Sequence, residues 1–327
     1  MNNRADIGRF LIDPSRGWSS AADASQPLAF VDLDTCDDSV SFDPLPPFPV
    51  IGVGDKKHPF AVALDAVLES PIDAATLIRQ VERAPHAAAV TVQLLRSSQD
   101  LSYEQALMLE SVSYGLLQGS QEYATWLVSR TSTEPPSRAG RVIVERRGSV
   151  LHVVLDRPES RNAIDREMRD QLFEAFTLAA LDPEIRSVKL RSLGAAFSAG
   201  GDLDEFGATR DPATAHLIRS RTLPALALSR RPDIVDVHVQ GACVGAGVEI
   251  AAFAGRATAA PTAWFQLPEL AMGLIPGAGG CVSVPRRIGR HRAALMILSG
   301  QRIDADTALR WRLIDAIEDQ PPVNAQG

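Results

Sequence analysis

The chain has 327 residues, 45% of them apolar and 22% charged, which suffices for a buried core and for about two domains. A formal charge of −7 excludes a surface that as a whole attracts nucleic acid or acidic lipid. Three cysteines, Cys36, Cys243 and Cys281, are too few and too irregular for a disulfide framework or a CxxC metal site. No stretch holds about 18 apolar residues free of charge, and the first segment lacks a signal peptide's apolar core, so a cytoplasmic protein with no membrane partner is expected.

Residues 1–27 mix Ser, Asp, Gly and Arg without periodicity and read as a disordered tail, docking only through Phe10, Leu11 and Trp18. PLAFVDLD (27–34) and PVIGVG (49–54) read as buried strands at the edge of an α/β layer. From Ser70 the period becomes helical: PIDAATLIRQVER, HAAAVTVQLLR, YEQALMLESVSYGLLQ and SQEYATWLVSR place apolar residues three and four apart. Pro85 breaks the first of these from the second, and Ser102 with Gln105 has capping-box spacing ahead of the third. Residues 28–130 thus form a first block, and the Pro- and Ser-rich 131–140 is the expected linker.

RVIVERRGSVLHVVLDRP predicts a hairpin turning at Arg147 and Gly148, followed by the helix REMRDQLFEAFTLAAL. SVKLRSL is a strand, FSAGGDLDEF a glycine loop, Ala215 to Ser229 a helix, and IVDVHVQG a strand. After the apolar helix VEIAAFA, RATAAPTAWFQL suggests strands, PRRIGRHRAALMILSG a helix, and DADTALRWRLIDAIED a helix running into a last strand. Residues 320–327 read as a frayed end. Repetition of strand, loop and helix over 141–319 predicts a wound α/β fold with ligand chemistry at the strand-to-helix loops.

Two of those loops, around Gly200 and Gly201 and from Gly241 to Gly247, would let backbone N–H groups approach a ligand oxygen, although each is also ordinary turn chemistry. Glu249 lies between Val248 and Ile250 with no other charge until Arg256, and Glu269 is flanked by Leu267, Leu270 and Met272. A carboxylate in such a run needs partners or a raised pKa, and either makes it a candidate acid or base. Each also has a plainer reading, as a charge favoured by a helix N-terminus or as a cap. A pair of carboxyls with one kept ionised and one kept protonated is the arrangement needed to add or remove water, if the fold brings these two together. His152 and His238 fall on strand faces, no metal-ligand spacing occurs, and the GxSxG, P-loop and GxGxxG patterns are absent.

Taken in order, DRPESRNAID, FSAGGDLDEF, VQGACVGAGVEIA and FQLPELAMGLIPGAGG resemble the crotonase superfamily, in its enoyl-CoA hydratase and isomerase branch, from Arg141 to about Asp319. The resemblance implies an α/β spiral of stacked ββα units, with a helical block that caps the site and joins copies into homo-oligomers, trimers or hexamers. It implies an acyl-CoA thioester substrate, with coenzyme A as part of that substrate and no metal or other cofactor. Gly201 and Ala246 would supply the oxyanion hole and Glu249 and Glu269 the catalytic pair. Ala163, Ala199, Asp202, Leu203 and Gly277 would lie beside the coenzyme A and acyl groups.

Retention of both glutamates points to hydration of a 2-enoyl-CoA. Isomerisation or other enolate chemistry, and a non-catalytic acyl-CoA binder or structural subunit, are the alternatives. Where the family often carries a basic residue, this chain has Asp204 and Glu205, so phosphate recognition is expected from Arg157, Arg161 or the first block. Residues 63–130 are similar in order and pattern to the family's C-terminal helices, mid-helix Glu110 included, so a circular permutation is expected.

Overall fold

Short apolar runs such as AFVD and VIGV suit strands buried on both faces. In the computed structural model, which describes residues 7–16, 26–37, 44–130 and 138–319, they are β1 (Ala29–Asp32) and β2 (Val50–Val53). With β3 (Ala66–Val67) they form a parallel sheet in the order β1-β2-β3. Residues 7–16, expected within a disordered tail, instead dock beside β1: Ile7 and Phe10 are buried, and the Ile12 N–H donates to Phe30 O at 2.9 Å. Two apolar side chains suffice for this in a segment whose average is polar. Trp18, residues 131–137 of the expected linker and the frayed end 320–327 lie outside the described residues.

The helical block consists of α1 (Ala74–Arg83), α2 (Pro85–Ser97), α3 (Tyr103–Gln118) and α4 (Gln121–Ser129). Pro85 occupies the first turn of α2, where its missing N–H costs nothing. The capping box forms: the Gln105 N–H donates to Ser102 Oγ at 3.3 Å and the Ser102 N–H to Gln105 Oε1 at 3.1 Å.

Beyond Gly140, β4 (Arg141–Arg147) and β5 (Val150–Asp156) make the expected hairpin, turning at Gly148 and Ser149. There follow α5 (Arg166–Leu181), β6 (Ser187–Ser192), α6 (Pro212–Thr222), α7 (Pro224–Leu228), β7 (Val235–Val239), β8 (Ala242–Val244), α8 (Ala246–Ala251), β9 (Arg256–Ala259) and β10 (Trp264–Gln266). The chain closes with α9 (Gly280–Ile288), α10 (Arg290–Ser299), β11 (Ile303–Asp304), α11 (Ala305–Trp311) and β12 (Ala316–Ile317). Two predicted helices are each split. Pro224, without an N–H, ends the turn that would join α6 to α7, and Gly289 separates α9 from α10.

One sheet has six strands in the order β12-β9-β7-β6-β5-β4, parallel except for the hairpin, and a second has the order β11-β10-β8. From β7 onward the chain crosses between them, β7 and β9 in the large sheet and β8 and β10 in the small one, which is the winding of the expected α/β spiral. Among the described residues no helix is long and apolar enough to cross a membrane. Apolar side chains from before and after residues 131–140, including Leu77, Val92 and Leu107 with Leu151, Val237 and Leu295, belong to one continuous cluster.

A buried ion pair locks the first sheet onto the helices. Arg96 meets Asp65 through Nε at 2.7 Å and Nη2 at 2.6 Å, Asp65 also accepts the Val50 N–H at 2.9 Å, and Arg290 stands 3.5 Å away. Removing one member leaves the others buried and uncompensated, which is the costly way to break such a pair. Asp65→Ala is therefore expected to lower unfolding free energy by about 3–5 kcal/mol in urea titration. A loss below about 1 kcal/mol would show that apolar contacts alone hold this sheet.

Candidate active site

The loop after β6 and the strand β8 lie edge to edge: the Ser198 N–H donates to Ala242 O at 3.1 Å and the Val244 N–H to Ser198 O at 3.0 Å. Two glycines permit this approach. Gly200, at φ +94, has Val244 O only 3.0 Å from where a Cβ would stand, and Gly245, at φ +46, has Glu269 Oε1 at 2.6 Å from that point. Both need a left-handed backbone and no side chain. The N–H groups that follow, of Gly201 and Ala246, donate to no acceptor among the described residues, and both residues line a cavity of about 790 Å³. An unsatisfied backbone donor is costly when dry, so this pair is a ready site for a ligand oxygen.

Glu249 and Glu269 line the same cavity, so the structure brings the predicted pair together. Glu249 sits on the first turn of α8, is 2% exposed, and through Oε2 accepts the Ala278 N–H at 2.6 Å and the Gly280 N–H at 2.8 Å. Its Oε1 has no donor among the described residues. Burial pushes this carboxyl up to about 7, against the pull of those two N–H groups. Glu269 opens the short turn Glu269–Met272, is 8% exposed, and keeps Oε2 buried without a partner. Burial, and then the charge of Glu249, push it well above the usual carboxylate range. As pH rises Glu249 therefore ionises first and Glu269 holds its proton longer, giving one base and one acid.

A third buried carboxylate arrives from α3. Glu110 is 1% exposed; its Oε1 accepts the Gly279 N–H and its Oε2 the Cys281 N–H, both at 2.8 Å. The consecutive N–H groups of Ala278, Gly279, Gly280 and Cys281 thus go alternately to Glu249 and Glu110. Burial, then the neighbouring Glu249, raise the Glu110 pKa well above normal. Glu110, Tyr114 and Gln118 are four apart and share a face of α3, and Tyr114 and Gln118 line the cavity, as does Tyr123 of α4. The sequence signal for Glu110 is a lone charge in an apolar helical run, the same oddity that marks Glu249; its partners are invisible because they lie about 170 positions away.

Gly277 lines the cavity with the Tyr114 ring packed onto its backbone. Asp202 also lines it, but its oxygens are engaged by Arg157 Nη1 at 2.6 Å and the Asp204 N–H at 3.0 Å, so it holds the loop. Ala163, Ala199 and Leu203 do not stand on this wall; the first two are held in flanking loops by Ser160 O and Arg161 O, and Leu203 is 41% exposed. Arg157 is buried against Asp202 and Asp165, which removes it as a phosphate contact, and the exposed Arg161 lies off the wall. Arg166, Arg169 and Arg221 line the cavity instead. They sit on α5 and α6, outside any motif. Asp204 pairs with Arg130 at 3.2 Å, and so ties the end of α4 to the glycine loop.

Residues 145–325 match the family model described as Enoyl-CoA hydratase/isomerase. The chain is 34% identical over 176 residues to the 2,3-dehydroadipyl-CoA hydratase of Escherichia coli (strain K12), covering 54% of this chain and 68% of that protein. It is 35% identical over 174 residues to the probable enoyl-CoA hydratase EchA14 of Mycobacterium tuberculosis, covering 53% and 67%. Among solved structures, Pseudomonas aeruginosa AtuE is similar at 31% identity and a TM-score of 0.50, over 55% of this chain and 70% of that one.

Because both oxygens of Glu110 accept N–H groups, a glutamine there must turn its own NH₂ against one of them. Glu110→Gln is expected to cost about 1–3 kcal/mol, the penalty of one buried unpaired donor, measured by denaturant unfolding. Wild-type stability in that variant would mean that the clamp on residues 278–281 carries no net energy.

Proposed function

This chain belongs to the enoyl-CoA hydratase/isomerase family, and we propose that it adds water to a 2-enoyl-CoA thioester, or removes it from the 3-hydroxyacyl-CoA. One observation carries the reading: two unpartnered backbone N–H groups and two buried carboxyls of unlike proton affinity line one cavity. In this reading the thioester oxygen accepts from Gly201 and Ala246, which stabilises the enolate-like state; losing one such donor typically costs on the order of 10²–10³ in rate. Ionised Glu249 takes a proton from water as its oxygen bonds to C3, while Glu269 delivers its proton to C2. Proton exchange with solvent then restores both groups. The scheme uses only these residues, with coenzyme A arriving as part of the substrate and its phosphates met by Arg166 and Arg169 of α5 at the cavity wall.

Isomerisation is the second reading, favoured by the unpartnered Oε2 of Glu269, since one carboxyl can carry a proton between C2 and C4. The first block acts as the cap, in the permuted arrangement, through Tyr114, Gln118 and Tyr123. Met108, Val112 and Leu116, four apart and 53%, 48% and 67% exposed on α3, support assembly of copies into a trimer or hexamer. Three free cysteines support a cytoplasmic setting.

Turnover of enoyl-CoAs, followed by loss of the conjugated thioester absorbance, tests the reading. Glu249→Gln should slow hydration by on the order of 10²–10⁴ while sparing most double-bond isomerisation, and Glu269→Gln should abolish both; hydration surviving Glu249→Gln would reverse the choice between them. Glu249 is protonated below about pH 7, so kcat/KM should rise as pH passes through about 7 and fall again when the second carboxyl ionises. A flat profile from pH 6 to 8 would exclude Glu249 as the base. Deletion of residues 1–137 should abolish activity; a folded, active remainder of unchanged oligomeric state would remove the capping and permutation roles.

A further inference from the structure

Arg219 stands in the cavity wall without a carboxylate. It projects from α6 against α3, where Nε donates to Ser111 Oγ at 3.0 Å, Nη1 to Gln118 Oε1 at 3.0 Å and Nη2 to Ser111 O at 3.1 Å. All three acceptors are neutral, and each Nη keeps a further N–H. Arg96, Arg157 and Arg191 meet Asp65, Asp202 and Asp236 directly, whereas Arg231, like Arg219, is held by neutral acceptors, the carbonyls of Ala179, Asp182 and Ile185, but does not line this cavity. No carboxylate among the described residues lies within ion-pair distance of Arg219. Glu110, one residue before Ser111 on α3, is within electrostatic reach of Arg219, but both of its oxygens are taken by the Gly279 and Cys281 N–H groups, so the half-buried guanidinium keeps N–H groups for an anion that enters the cavity.

The place of Arg219 along the wall says which part of a ligand reaches it. Gly277 packs on the Tyr114 ring, and the Arg219 guanidinium lies 4.6 Å from the centroid of that ring. Tyr114 is also within electrostatic reach of both Glu249 and Glu269. Arg219 is therefore one aromatic ring beyond the two carboxyls, on a wall that it shares with Ala215, Ile218 and Leu223. An acyl chain whose C2 and C3 lie at the glutamates passes apolar side chains and ends near a cation.

We propose that Arg219 is the specificity residue for the far end of the acyl group, and that the substrates are acyl-CoAs whose chain ends in a carboxylate. This rests on the acyl-CoA reading above and adds to it the class of acyl group. Arg219 and a terminal carboxylate pair through charge-assisted bonds, worth about tenfold or more in affinity over a methyl terminus. The three bonds to Ser111 and Gln118 hold the guanidinium in place before the ligand arrives.

Saturated thioesters test this without requiring any chemistry. Titration calorimetry of the full chain would compare adipyl-CoA and suberyl-CoA with hexanoyl-CoA and octanoyl-CoA, in the wild type, Arg219→Gln and Arg219→Lys. The expected result is at least about tenfold tighter binding of one dicarboxylyl thioester than of its methyl-ended partner. That ratio should collapse toward one in Arg219→Gln and be partly kept in Arg219→Lys. Wild-type binding of the methyl-ended thioesters as tightly as the acidic ones overturns the proposal, as does a ratio unchanged in Arg219→Gln, and as does failure of all four to bind. The hydratase reading stands or falls separately, on turnover of the unsaturated thioesters.

Discussion

Residues 278–281 offer successive backbone N–H groups at the start of α9, and the site depends on what takes them: Glu249 from the spiral and Glu110 from the helical block, in alternation. A turn of this kind concentrates partial positive charge, and two buried carboxylates would repel without it. Its contribution is to make a cluster of acids tolerable in a place where burial alone raises all three pKa values. The clamp also explains why the two parts of the chain share one interior. Glu110 has its oxygens satisfied only if α3 lies across α9, so the seating of the helical block and the wall that carries Glu249 are set by the same bonds.

The difference between Glu249 and Glu269 follows from the same arrangement. Both are buried, and desolvation is the leading cause of the upward shift in each. Glu249 is offered two N–H groups, which favour its charged form, whereas Oε2 of Glu269 has no partner and faces the charge of its neighbour. Two chemically identical side chains thus differ in proton affinity, through the N–H groups given to Glu249 and the charge that Glu249 sets beside Glu269. Backbone N–H groups suit this task because they neither titrate nor bring a net charge of their own.

What the sequence disclosed divides along the range of the forces involved. Short-range features were legible: the strands in AFVD and VIGV, the Ser102 and Gln105 capping box, the glycine loops, and Glu249 and Glu269 as charges where apolar residues were due. Local detail failed where one residue decides, as with Gly289 between α9 and α10, or Ile7 and Phe10 in a polar segment. The partners of Glu110 and the fate of Arg157 were not legible, because each is fixed by residues distant in the chain. Arg157 looked available for a phosphate, yet two aspartates hold it inside. Arg166, Arg169, Arg219 and Arg221 carry no signal in the sequence, being scattered on amphipathic helices where any arginine is ordinary until the helix is seen to border a cavity.

The helical block has a consequence for the cavity that a sequence motif does not carry. The N–H groups of Gly201 and Ala246 would hold a ligand oxygen more strongly where water is kept from them, and the side chains lining their cavity include Tyr114, Gln118 and Tyr123 from α3 and α4. Opening that cover would solvate the glutamates, draw their pKa values back toward ordinary carboxylates and erase the contrast between them. Arg130, bound to Asp204 and to the Leu203 carbonyl, and Arg219, bound to Ser111 and Gln118, fasten the cover at two points on either side of the cavity-lining residues. The acid–base contrast and the seating of the helical block are in this sense one property, since both depend on α3 lying where the N–H groups of residues 278–281 and the guanidinium of Arg219 hold it.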